Sequence, residues 1–153
     1  MEIRKIKTRE EKEAAFRVRH EVFVIEQKVD PKEEYDPEDE SSTHFVAIEN
    51  GVVCGTARWR FKSGGTIKLE RFAVLEKYRN KGVGTGLLQA VLEDLPFHGE
   101  AILHAQLPAI NFYKRNGFET YGPEFTEAGI QHYAMKWTNA PSNTDSGKVN
   151  EKQ

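Results

Sequence analysis

The sequence predicts an α/β (α+β) domain with a mixed sheet, its elements running β-α-β-β-β-α-β-α-β-β. Three observations carry this. β-rich runs flank Asn50-Gly51, a strong two-residue hairpin signal. Apolar residues recur at helical spacing after Thr8 and again from Val83 to Leu95. A third, shorter helical segment is bracketed by Pro108 at its first turn and Gly117 just past its end.

In chain order, "MEIRKI" opens as a short alternating strand. Thr8 followed by Glu11 has the spacing of a capping box, and Ala15, Val18, Val22 and Ile25 then mark the buried face of a helix. From Glu26 to Ser42 two prolines and many acids predict a long polar loop with at most a short helical turn. "THFVAIE" and "VVCGTARWRF" form the hairpin around Asn50-Gly51, and "KSGG" is a second turn. In "TIKLERFAVL", Ile67 and Leu69 alternate with Lys68 and Glu70 before the run becomes wholly apolar, as a central strand would. Val83, Leu87, Leu88, Val91, Leu92 and Leu95 mark one face of the next helix, which Pro96 helps to end. "EAILHA" is a short apolar strand, "LPAINFYKRNGF" a compact helix, and "FETYGPEFTEAGIQHYAMKW" two closing strands. From Thr138 to Gln153 the tail is polar and expected to be disordered, which leaves one domain over residues 1–137.

Composition bounds the function. A chain of 153 residues with 38% apolar and 30% charged residues is long enough to bury a core and reads as a soluble globular domain. A net charge of −2 gives no general reason to expect nucleic acid or an anionic membrane as partner. No apolar run approaches the roughly 20 residues of a membrane helix, and no secretory signal opens the chain. The single cysteine, Cys54, cannot form an internal disulfide. Together these point to the cytoplasm. Cys54 lies in an apolar β run without an activating neighbour in sequence, so it reads as a small core residue. The histidines show neither an i, i+4 pair nor a cysteine partner set, so no metal site is expected.

The chemistry concentrates in "EKYRNKGVGTGLLQAVLEDL". Gly82, Gly84 and Gly86, with Arg79 and Lys81, stand directly ahead of a periodic apolar segment. Bare backbone and positive charge at a helix start suit an anion, a phosphate above all, because unpaired N–H groups and the helix dipole converge there. A Walker loop would end in Gly-Lys-Ser/Thr, which Gly82-Val83-Gly84-Thr85-Gly86 lacks. A dinucleotide fingerprint would need its third glycine where Leu87 stands, and a tighter turn after Leu75.

The pattern that fits is Arg/Gln-x-x-Gly-x-Gly/Ala, here Arg79-Asn80-Lys81-Gly82-Val83-Gly84. It resembles the pyrophosphate loop of the GCN5-related N-acetyltransferase (GNAT) superfamily. The preceding "LERFAVLEKYR" is similar to that superfamily's central strand, and "AINFYKRNGF" to its later A-x-x-F-Y-x-x-x-G-F helix. Element order agrees over residues 1–137. "RHEVFVIEQ", "THFVA" and "GPEFTEAGIQHYAMKW" are similar to the bacterial ElaA-like branch.

The resemblance implies a mostly antiparallel central sheet flanked by helices, acetyl-CoA as donor, and a primary amine attacking the thioester directly. The N–H groups of Lys81, Gly82, Val83, Gly84 and Thr85 would face the pyrophosphate, with Arg79, Asn80 and Lys81 around it. The backbone of Phe72, Ala73 and Val74 would edge the pantetheine as an added strand does. Tyr113 matches the family tyrosine that protonates the departing thiolate, against a packing role beside Phe112. Gln106 stands where the family commonly has a cofactor-binding Asn, and Asn111 lies a helical turn later. Glu70 is the first candidate for general base, against simple pairing with Arg58, Arg60 or Arg71. His104 is the second, since histidine titrates near neutrality, against a satisfied strand histidine.

On the acceptor side the acidic run from Glu26 to Glu40 would attract a cationic amine, or is only a solvated loop. Glu26, Gln27 and His44 flank ordered elements and are, with His104, the acceptor-side candidates. The acceptor is expected to be a small-molecule amine, with no nucleic acid or membrane partner, and a homodimer is compatible with the reading. A non-catalytic acyl-CoA-binding sensor or scaffold is the competing function. Acyl-homoserine-lactone synthesis on a related fold would need a larger front half than this chain has.

Overall fold

The computed structural model describes residues 1–96 and 100–138. The expected disordered tail therefore lies, past Thr138, outside the described residues. The fold is α/β, with a seven-stranded, mostly antiparallel sheet in the order β1-β2-β3-β4-β5-β7-β6. The described chain divides into two compact units, one of residues 1–61 and 69–95, the other of 62–68, 96 and 100–138. Strand β4 runs from the second into the first.

The first unit opens with β1 (Glu2–Lys5) and helix α1 (Arg9–Arg19). Thr8 Oγ1 accepts from the Glu11 N–H at 3.1 Å, as the sequence predicts. Glu11 reaches back in turn, accepting the Lys7 N–H at 2.7 Å with the Thr8 N–H beside it, and both its oxygens also take Arg4. Past Arg19 the helix widens into a π segment, His20–Glu26, in which the Gln27 N–H reaches back five residues to the Val22 carbonyl. This widening corrects the expected buried face. Ala15, Val18 and Val22 are buried, but Ile25 is 49% exposed, because the 3.6-residue period ends where the π turn begins.

The expected acidic loop contains the one-turn helix α2 (Pro31–Glu34), capped by Asp30, and a 3-10 turn, Pro37–Ser41, capped by Asp36. Strands β2 (Thr43–Glu49) and β3 (Val52–Phe61) are antiparallel across a turn in which Asn50 and Gly51 both have positive φ, 50° and 78°. That is the turn geometry Asn-Gly favours. Between β2 and β3 the register slips at Ala47/Ile48, so Cys54 of β3 is the extra residue at the irregularity, buried in the core. β4 (Ile67–Val74) leads through a short turn, Glu76–Tyr78, to helix α3 (Val83–Asp94), which buries Val83, Leu87, Leu88 and Val91. Helix α3 approaches β3 closely at Gly55, where a Cβ would stand 3.1 Å from Val83 and from Leu87.

In the second unit Ile67 and Lys68 of β4 pair in parallel with Ala101 and Ile102 of β5 (Ala101–Gln106). β5 is antiparallel to β7 (Ile130–Trp137), and β7 to β6 (Phe118–Glu127). Helix α4 (Ile110–Arg115) follows a 3-10 turn that holds Pro108, and Gly117, at φ 92°, ends it. The β6–β7 turn puts Ala128 at φ 54° before Gly129 at φ 76°. An alanine in this region is strained by roughly 1–2 kcal/mol, which Asn tolerates better. Ala128→Asn is therefore expected to stabilise the fold by about 1 kcal/mol, raising Tm by roughly 2–4 °C. A thermal scan showing no rise would mean the turn is not strained.

Candidate active site

The residues read as phosphate-binding meet at the start of α3. Asn80 (φ 63°) and Gly82 (φ 84°) are both left-handed, which turns the chain sharply into the helix. The first helical bond runs from the Gly86 N–H to the Gly82 carbonyl at 3.0 Å, so the N–H groups of Val83, Gly84 and Thr85 have no acceptor within the helix. Thr8, Asp30 and Asp36 each cap their helix or turn with a side-chain oxygen, whereas cap residue Gly82 has none to offer. The three glycines do different work. Gly82 supplies the left-handed turn. Gly86 supplies packing room instead, since a Cβ there would run into Ile3 Cδ1 of β1.

The two loop cations also part company. Lys81 is exposed and stands 5.9 Å from the Tyr78 ring. Arg79 donates from Nε to the Val74 carbonyl at 2.8 Å and pairs through both terminal nitrogens with Glu26 at 2.7 Å. The hydrogen bond from Arg79 holds the Glu26 carboxyl below its usual range. Glu26, expected on the acceptor side, is thus the partner of the glycine loop's arginine. Arg79 in turn braces the loop against the last residue of the Phe72-Ala73-Val74 segment. Gln27 closes the π segment, half-buried.

Glu70 is the hub of an arginine cluster. Its Oε1 accepts from Arg58 Nε (3.0 Å), Arg58 Nη2 (2.6 Å) and Arg60 Nε (2.8 Å). This is the pairing that competed with a catalytic role, and it commits that oxygen's lone pairs to guanidiniums. Arg58, wholly buried, also pairs with Asp36 at 2.7 Å and Asp39 at 2.5 Å. Arg19 holds Glu34 and Asp39, and Arg71 holds Glu34 and Asp36. Arg71 does so from φ 59°, a left-handed residue inside β4 between Glu70 and Phe72. Such a conformation costs of order 1–3 kcal/mol unless its surroundings impose it, as these two carboxylates do.

The acidic stretch is therefore neither a bare attracting wall nor a solvated loop, since Glu34, Asp36 and Asp39 are tied to Arg19, Arg58 and Arg71. Sequence reasoning missed this network. Arg58 and Arg60 alternate on β3 facing one way, but nothing local says that Asp36 and Asp39 return to them. His44 belongs to the same structure. It is buried, its Nε2 lies 3.0 Å from the Asp39 carbonyl, and its ring meets Phe16 edge-on. Burial lowers its pKa. It anchors the 3-10 turn rather than presenting a group to an acceptor.

In the second unit, Tyr113 is 8% exposed and packs edge-on against Phe112 and Phe118. Burial pushes its phenol pKa well up. Gln106 ends β5, half-buried, and Asn111 is exposed on α4. His104 Nδ1 lies 2.8 Å from Glu127 Oε1, and its ring meets Phe125 edge-on at 4.9 Å. Glu127, Phe125 and His132 had no signal in the sequence, because β6 and β7 bring them to β5 only through the register of a bulged hairpin.

A glycine-led, uncapped helix start behind the fourth strand of a seven-stranded α/β sheet defines an acyltransferase of the GNAT kind. The chain belongs to the GNAT acetyltransferase family, whose domain matches residues 6–139. It is 42% identical over 133 residues to YjcF of Bacillus subtilis, an uncharacterized N-acetyltransferase, covering 84% of this chain and 94% of that one. An acyl-CoA N-acyltransferase from Pseudomonas aeruginosa superposes with a TM-score of 0.80 at 26% identity, over 90% of this chain and 99% of that one. Escherichia coli ElaA superposes at 0.78 with 25% identity, over 89% and 98%.

Proposed function

We propose that the protein transfers the acetyl group of acetyl-CoA to a primary amine of a small molecule or peptide, with residues 1–137 acting as a single acetyltransferase domain. The observation that carries this reading is the start of α3, where Val83, Gly84 and Thr85 offer N–H groups behind a cap residue without a side chain. Such a cradle suits a pyrophosphate. Lys81 adds the exposed charge, Asn80 and Gly82 shape the turn, and Arg79 braces it. Phe72, Ala73 and Val74 offer strand backbone to the pantetheine, and Gln106 and Asn111 complete the cofactor contacts. Gln27 stands on the acceptor side, to which His44 contributes only by anchoring the Pro37–Ser41 turn.

Acetyl-CoA, when bound, supplies an acetyl group activated as a thioester. Tyr113 is the acid that returns a proton to the sulfur. Its buried phenol stays protonated through the physiological range, so it holds the proton that a thiolate would take. Glu70, expected as base, has one oxygen held by Arg58 and Arg60, and those bonds compete with its taking an amine proton.

The test is free-thiol release from acetyl-CoA against amino sugars, amino acids, polyamines and short peptides, with cofactor binding followed by calorimetry. Release with one amine class is expected. Tyr113→Phe should then lower kcat about tenfold or more while changing acetyl-CoA affinity less than about twofold. An unchanged kcat would leave Tyr113 a packing residue. Binding without release from any amine would favour a non-catalytic acyl-CoA-binding module.

A further inference from the structure

Five side chains share one face of the β5-β7-β6 ladder in the second unit. Gln106 lies opposite His132, and His132 opposite Phe125, so these three form a row across the strands. His104 stands two residues before Gln106 and Glu127 two residues after Phe125, which the two-residue strand period places on the same face. The contacts agree. The Phe125 ring stacks on His132 at 5.7 Å, meets His104 edge-on at 4.9 Å, and leaves Glu127 Oε1 within 2.8 Å of His104 Nδ1.

That bond fixes the imidazole's chemistry. A carboxylate only accepts, so Nδ1 carries the hydrogen, and in the neutral imidazole Nε2 then carries the lone pair. The ring is also clamped by Phe125, so its direction is set as well as its tautomer. Glu70, by contrast, has three guanidinium donors on one oxygen. Of the two candidate bases, only His104 has an aromatic clamp and a carboxylate that hold a lone pair ready.

We propose that His104 is the general base of the acetyl transfer and that Glu127 is its positioning residue, holding the Nδ1–H tautomer. This rests on the acetyltransferase reading, in which Gln106, two residues along the same face of β5 from His104, is a proposed cofactor contact. The balance is simple. The ammonium form of the acceptor first loses its proton to His104 Nε2. The amine nitrogen then bonds to the acetyl carbon as the carbon–sulfur bond breaks. The electron pair leaves on sulfur, which takes the proton of Tyr113; the second amine proton passes to solvent, and the proton held on His104 is exchanged through solvent to restore the Tyr113 phenol. The imidazole is in direct contact with Glu127 of β6, and that carboxylate in turn feels the charges of Lys68 of β4 and His132 of β7.

The experiment compares wild type, His104→Gln, Glu127→Gln and Glu70→Gln. Imidazole nitrogen NMR on the ligand-free protein reads the tautomer without any turnover. Wild type should show a His104 signal protonated at Nδ1, and Glu127→Gln should shift it toward a mixture of tautomers. Thermal scans check that all three β-strand variants stay folded. In turnover, His104→Gln should lower kcat about 100-fold near neutral pH and remove the acid limb of the kcat/KM profile. Glu127→Gln should lower kcat about tenfold and displace that limb, with the KM for acetyl-CoA unchanged. A His104→Gln variant at full rate overturns the assignment, as does an acid limb that survives there and vanishes in Glu70→Gln. Those failures leave the acetyltransferase reading standing, whereas a wild-type protein that binds no acetyl-CoA removes both.

Discussion

Arg58→Met is expected to lose about 3–5 kcal/mol of unfolding free energy at neutral pH, because it strips a buried cation from Asp36, Asp39 and Glu70 at once. The guanidinium is fully buried, and the carboxylate side chains it serves are 9–19% exposed. Water cannot replace it well. Arg19, Arg60 and Arg71 keep their own bonds to these acids, which holds the loss toward the lower figure.

The pH dependence separates this account from a simple packing loss. Burial raises the pKa of Asp36 and Asp39, but hydrogen bonds from Arg58 to Asp36 and from Arg19 to Asp39, with the nearby arginine charges, pull both below the ordinary value. A depressed carboxylate contributes stability that is present above its unfolded pKa of roughly 3.9 and lost as pH falls through the folded value. In Arg58→Met the burial effect is less opposed, so the folded pKa values rise and the buried acids accept protons more readily. The gap between variant and wild type should therefore shrink as pH falls from 7 toward 4. Urea denaturation at several pH values reads this from the midpoints. A gap below about 1 kcal/mol at pH 7, or one that does not change with pH, would show that Arg58 is not the cluster's counter-ion.

How much of this could be read in advance follows the range of each interaction. Asn50-Gly51, Thr8 and the glycine loop act within a few residues, so their turns and cap were legible. Ile25 was misplaced because a helix period cannot announce that it will widen after Arg19. Gly86 looked like part of the phosphate cradle, yet its need for a missing side chain comes from Ile3, more than eighty residues earlier. The acidic stretch was visible as charge, but its meaning lies in Arg19, Arg58 and Arg71, which the chain returns to it from other elements. His104 was visible as a residue type, while Glu127 reaches it only through the register of β6 and β7. In each case local chemistry was readable, and long-range pairing gave it its role.

The sharpest test of the glycine loop exploits two effects of opposite sign at one position. Gly84 is the second residue of α3, where an acidic side chain is favoured by the helix dipole by roughly 0.3–1 kcal/mol. Replacing a helical glycine by aspartate, itself a weak helix former, adds only about 0.3 kcal/mol more. Gly84→Asp should therefore leave the ligand-free protein as stable as wild type, or more so. The same carboxylate would sit at the N–H groups proposed to take the pyrophosphate. Like charges a few ångströms apart near a protein surface repel by about 3 kcal/mol, so acetyl-CoA affinity should fall roughly 100-fold. Gly84→Asn, alike in size but uncharged, should lose much less and so separates repulsion from crowding. Calorimetric titration with acetyl-CoA, beside thermal scans of the free protein, reads both effects. Weakened binding with an undiminished Tm would locate the anion at this helix start. Unchanged affinity in Gly84→Asp would remove the loop from the cofactor site, and with it the observation on which the functional reading stands.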